Sequence, residues 1–156
     1  MVAVPALALN SAHMPKACAQ VQISCPADLS FNRFFVCGTG SLEAKASGGT
    51  NKNGCIVVKN AATAAQCIVR NGGIPVTKSV SVQFTINSIN ITNAGSNARV
   101  DGFEMLEING TTATSKLTLS ATSVNNTVTI NVGATLNFNE NQSTGSYIGS
   151  INISAN

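Results

Sequence analysis

Ser79-Val80-Ser81-Val82-Gln83-Phe84-Thr85-Ile86 decides the fold class. Apolar and polar residues alternate through it without a break. Successive side chains of a strand point to opposite faces, so Val80, Val82, Phe84 and Ile86 make a dry face, and Ser79, Ser81, Gln83 and Thr85 a wet one. The same period of two recurs on either side, in Leu117 and Leu119, in Val128, Ile130 and Val132, in Leu136 and Phe138, and in Tyr147, Ile151 and Ile153. Turn signals punctuate the chain: Gly38-Thr39-Gly40, Gly48-Gly49, Asn53-Gly54, Asn71-Gly72-Gly73, Asn93-Ala94-Gly95, Asp101-Gly102, Asn109-Gly110 and Asn125-Asn126. The pattern predicts an all-β antiparallel sandwich of roughly eight to ten strands, with no helix longer than two turns. Ala61 to Gln66 is Ala-rich, but its neighbours make it a loop or strand.

Composition narrows the function classes. The chain has 156 residues, enough for one core; 44% are hydrophobic, only 4% aromatic, and Trp is absent. The core is therefore built from Val, Ile, Leu and Ala, which suits short strands. No apolar run approaches the ~18 residues of a membrane-crossing helix, so the chain is not expected to span a membrane. One His, six acids and nine bases offer few convergent titratable groups, so neither an enzyme nor a cofactor or metal site is expected. The bases stand singly, which argues against a nucleic-acid partner. They are unevenly placed: residues 1 to 78 carry seven bases and two acids, and residues 79 to 156 two bases and four acids.

The candidate chemical groups read as structural. His13 stands in a polar link with no triad partner at useful spacing. Asp101, Glu104 and Glu107 resemble a carboxylate set, but in a strand Glu104 and Glu107 face opposite ways, which makes a solvated acidic edge the better reading. Cys18, Cys25, Cys37, Cys55 and Cys67 form no CxxC pair and have no His partner, so zinc is not expected. Five cysteines in a chain low in charge fit an exported protein with one or two disulfides and a thiol left over. Cys55-Ile56-Val57-Val58-Lys59-Asn60 echoes Cys67-Ile68-Val69-Arg70-Asn71 as neighbouring strands would, which suggests Cys55 with Cys67. Cys18 with Cys25 and Cys25 with Cys37 stay open.

Residues 1 to 17 differ from the domain at 18 to 156. Met1 to Leu9 is apolar and Asn10 to Ala17 is a polar link. Ala6-Leu7-Ala8 fits a signal-peptide cleavage pattern, but no base precedes the apolar stretch. The segment is either a processing remnant or an extended arm. In a regular strand Val2 and Val4 share one face and Leu7 and Leu9 the other, unless Pro5 resets the register. An alternating strand from Ser146 to Ser154 closes the chain, so the apolar arm and the last strand lie at opposite ends.

Three segments carry a resemblance. Ala27-Asp28-Leu29-Ser30-Phe31, Val132-Gly133-Ala134-Thr135-Leu136 and Ser143-Thr144-Gly145-Ser146-Tyr147-Ile148-Gly149-Ser150-Ile151 are similar to strands of secreted bacterial pilin-like β-sandwich domains of unassigned function, related to spore coat protein U and chaperone-usher pilins. The chain departs from that pattern in having Asn32 where the family usually has Gly. The resemblance implies an immunoglobulin-like sandwich lacking its final strand and completed by a strand donated from the next subunit. It also implies a periplasmic chaperone that fills the gap beforehand and an outer-membrane usher. The expected function is a structural subunit of an extracellular pilus-like fibre or coat, exported through the periplasm. It would bind copies of itself head to tail through Val2, Val4, Leu7 and Leu9. The alternative is a monomeric secreted binding module for a glycan or surface ligand.

Overall fold

The computed structural model describes residues 20–156 apart from 94, 95, 109, 111, 141 and 143–150. Among them, in chain order, are β1 (Val21–Ala27), β2 (Phe34–Ala44), β3 (Thr50–Val58), β4 (Ala65–Asn71), β5 (Val80–Phe84), β6 (Ile89–Asn93), β7 (Ser96–Glu107), β8 (Thr112–Ala113), β9 (Lys116–Leu119), helix α1 (Ala121–Asn125), β10 (Val128–Phe138) and β11 (Ile153–Ala155). The protein is an all-β sandwich of two antiparallel sheets, one of eight strands and one of three ordered β11-β5-β9.

β10 organises the large sheet. Val128–Val132 pair with β4 and Ala134–Phe138 with β2, so two strands share one edge of β10, while β7 takes the other edge. β4 continues to β1, β2 to β3, and β7 to β6 and β8. Period two sets the inner face: Ile130, Val132, Ala134, Leu136 and Phe138 are all buried. The first half of that face packs with Val80, Val82, Leu117 and Leu119 of the small sheet. The second half packs with Leu42, Ile56, Ile91, Val100 and Phe103. Helix α1 plugs one end. Ser120 caps it by accepting the Ser123 N–H at 3.0 Å, Val124 is buried, and the Asn125 side chain bonds both the N–H and the C=O of Val76, at 2.8 and 2.9 Å.

Several turn signals prove to lie inside strands. Gly38-Thr39-Gly40 and Asn53-Gly54 belong to β2 and β3, where the register slips between Val36 and Gly40 and three residues of β2 oppose Cys55 alone. Gly54 has φ 81° at this bulge. Asp101-Gly102 is likewise a bulge in β7, with Gly102 at φ 58°. Long strands absorb these residues because the ladder resumes on both sides of each bulge. Val128 to Phe138, read as two strands, is one.

The disulfides correct the pairing suggested by the echoing segments. Cys25 bonds Cys67, and Cys37 bonds Cys55. β3 and β4 are not neighbours, since β3 lies beyond β2 and β4 lies between β1 and β10. The echo is one of sequence only: Cys55 and Val57 are exposed on β3, whereas Cys67 and Val69 are buried on β4. Cys18 lies outside the described residues.

Candidate functional site: an apolar groove bounded by the first and last strands

β1 begins as a regular partner of β4, with Val21 to Ser24 in register, and then loses it. Pro26 has no N–H to give a ladder, and the register shifts between Ser24 and Ala27. Beyond this one-residue shift the chain keeps a single register, with Ala27 opposite Gln66 and Ser30 opposite Thr63, and two ties hold it there. The Cys25–Cys67 disulfide fixes the end of β1, and Ser30 exchanges backbone hydrogen bonds with Thr63 at 2.9 and 2.7 Å. Asn32 stands at φ 51°, in the left-handed region that favours Gly and tolerates Asn, which accounts for Asn where the resembled family has Gly. Its amide N–H donates to the Ala61 carbonyl, and its backbone N–H to the Ser30 hydroxyl. Ala27–Phe31, expected as an opening strand, is thus strand only at Ala27, and the rest is a pinned lip.

That lip borders a groove of about 660 Å³. Ala27, Leu29 and Phe31 line it from the β1 side, and Ile151 and Ile153 from the β11 side. The inner face of the large sheet contributes Cys67 and Val132, and β6 and β7 contribute Ile89, Ile91 and Val100. Among the described lining residues Asp28 is the one that is charged, and Ser30 the other polar one. Among the described strands β1 pairs only with β4, and β11 only with β5. Each therefore has one edge that pairs with no described strand. An apolar bed between two such edges has the chemistry to accept an extended segment: the edges supply hydrogen bonds and the bed takes alternate side chains.

The residues singled out by sequence fall in three places. Val2, Val4, Leu7 and Leu9 lie outside the described residues, as do His13, Cys18 and Tyr147. Cys25 and Cys67 line the groove, whereas Cys37 and Cys55 lie on the far, outer face of β2 and β3. Two of the three carboxylates are engaged elsewhere. Asp101 pairs with Arg99 at 3.1 Å and accepts from the Asn137 amide at 2.8 Å. Glu104 is not a solvated edge residue: its Oε1 accepts the Ala46 N–H at 2.5 Å over Gly133, tying β7 to the turn after β2. A Cβ at Gly133 would meet that oxygen at 2.9 Å and collide with the Ala44 carbonyl oxygen and the Ala46 nitrogen, so the glycine makes room for the tie.

Sequence reasoning missed Leu29, Phe31, Ile89 and Ile91 as groove residues. Their signal was faint: Leu29 and Phe31 keep a two-residue spacing just after Pro26, and Ile89 and Ile91 keep another, out of phase with the run that ends at Ile86. The model of a family described as "Domain of unknown function (DUF4402)" matches residues 21–156, from the first residue of β1 to the end of the chain. No curated protein and no solved structure matches.

Proposed function

The chain belongs to the DUF4402 family, and we propose that its sandwich is a structural subunit of an extracellular pilus-like fibre or coat that assembles by strand addition. The observation that supports this reading is the groove bounded by β1 and β11, apolar along its bed and bordered by two strand edges without described partners. The proposed occupant is the apolar arm, residues 1–9 of the next copy. Val2 with Val4, or Leu7 with Leu9, shares one face of a strand. Burying such a pair is worth roughly 3 to 6 kcal/mol, at about 1.5 to 3 kcal/mol for each side chain. Before assembly, a periplasmic chaperone would shield the same bed, and an outer-membrane usher would order the exchange. Two disulfides, and the lack of any described helix long and apolar enough to cross a membrane, fit a periplasmic or extracellular site.

The test is size by light scattering, with negative-stain microscopy, for the full chain and for a chain starting at Cys18. The expected result is fibres from the full chain, none from the truncation, and capture of a residue 1–9 peptide by the truncation. Ile153→Asp in the full chain, which sets a carboxylate in the groove wall, is expected to stop fibre growth while leaving a folded monomer. Stable, well-folded monomers from both chains, with no peptide capture, would refute strand addition and favour a self-complete module that binds a glycan or surface ligand.

A further inference from the structure

The outer face of β2 and β3 holds a feature unrelated to the groove. Phe35 and Val57 are cross-strand partners and both remain exposed, at 46% and 50%. Next to them in one direction lie Arg33 and Lys59, both exposed, with the Lys59 N–H donating to the Arg33 carbonyl at 2.9 Å. In the other direction lies the exposed Cys37–Cys55 disulfide. The face is a ladder of a basic rung, an apolar rung and a disulfide rung. Lys59 Nζ sits 5.9 Å from the centroid of the Phe35 ring.

Folding stability does not account for this ladder. Like charges on adjacent strands weaken a sheet, and a half-exposed Phe gives up much of the benefit of burial. A second copy is a poor match. A two-fold contact through this face sets the bases against the partner's bases or, with strands antiparallel about the apolar rung, against its disulfide, and neither supplies an acid. Three of the six acids are already engaged: Asp101 with Arg99, Glu104 with the Ala46 N–H, and Glu43 with the Asn51 amide. Asp28, Glu107 and Glu140 are scattered along the chain and offer no acidic patch. A pleated outer face also presents a surface rather than a cleft. A partner that is dense in negative charge and apolar just beneath it satisfies both the basic and the apolar rungs. We propose that this ladder docks the domain on an anionic lipid surface, with Phe35 and Val57 entering the headgroup boundary and Arg33 and Lys59 meeting the anionic headgroups.

The test is flotation of the oxidised full chain with vesicles. Binding is expected to vesicles of phosphatidylglycerol mixed with phosphatidylcholine, to weaken as salt is raised, and to be absent with phosphatidylcholine alone. Arg33→Glu with Lys59→Glu is expected to weaken it at least about tenfold. Phe35→Ser with Val57→Ser is expected to weaken it at unchanged charge. Lys78→Glu with Lys116→Glu changes net charge equally at other exposed positions and is expected to leave most of the binding intact. Arg33→Gln with Lys59→Gln replaces the reversal if that variant fails to fold. No binding to anionic vesicles, or an equal loss in the Lys78 and Lys116 variant, overturns the proposal. So does tight binding of a poly-glutamate peptide that depends on Arg33 and Lys59, which would assign the face to an acidic protein segment.

Discussion

Removing the bridge between β1 and β4, by Cys25→Ala with Cys67→Ala, tests how the groove's lip is held. The two cysteines are 42 residues apart, and loop-closure entropy for a cross-link of that length is about 4 kcal/mol at 25 °C. The Cys37–Cys55 bridge, 18 apart, gives about 3 kcal/mol by the same relation. Chain entropy alone thus separates the two by less than about 1 kcal/mol. Packing widens the gap. Cys67 is 1% exposed, so truncating it leaves a void in the core, and β1 has no described partner besides β4 to hold it in place. The Cys37–Cys55 pair is exposed, and β2 keeps β10 on its other edge. The expected loss is about 4 to 6 kcal/mol for the β1–β4 bridge and about 3 for the other. For a domain of this size the former lowers Tm by roughly 8 to 24 °C. Urea unfolding followed by far-ultraviolet circular dichroism measures both, and amide hydrogen exchange adds the location, with protection lost first in β1 and retained in β10. A loss below about 1 kcal/mol for the Cys25 and Cys67 variant, or a larger loss for Cys37 and Cys55, would refute the reasoning that the lip depends on its covalent tie.

Other substitutions probe the frame around β10. Gly133→Ala forces apart the Ala44 carbonyl, the Ala46 N–H and Glu104, and should cost about 2 to 4 kcal/mol in urea unfolding. Glu104→Gln, which keeps an acceptor for Ala46, should cost less than Gly133→Ala. Leu136→Ala empties a site 1% exposed in the second half of the core and should cost about 2 to 5 kcal/mol, read from the same denaturation curves. Asn125→Ala strips the N–H and C=O of Val76 of their side-chain partner; a loss of about 1 to 3 kcal/mol is expected, with faster amide exchange at Val76.

The groove was only partly legible in the sequence. Composition and alternation gave the strands. Leu29 and Phe31 could not be assigned to a site, because their position depends on Ser30 meeting Thr63, thirty-three residues away, and on Asn32 reaching Ala61. Glu104 read as solvent-facing because its hydrogen-bond partner, Ala46, is 58 residues distant. The Asn-Gly and Asp-Gly pairs at 53–54 and 101–102 carried the composition of turns, but inside long paired strands the same backbone freedom serves a bulge instead.

The sequence alone determined the period of two, and with it the all-β class and the inner faces of β5, β9 and β10, since the direction of a side chain along a strand is set by local geometry. It also determined an even number of bridged cysteines drawn from an odd set. The tertiary structure alone decided which strands are neighbours: that β10 holds β2 and β4 end to end on one edge, that Cys25 meets Cys67 and Cys37 meets Cys55, and that β1 and β11 bound a common apolar bed. Alternation repeats identically in every strand and so cannot name a partner. Pairing is chosen by burial summed over the whole sandwich, a quantity that no single segment contains.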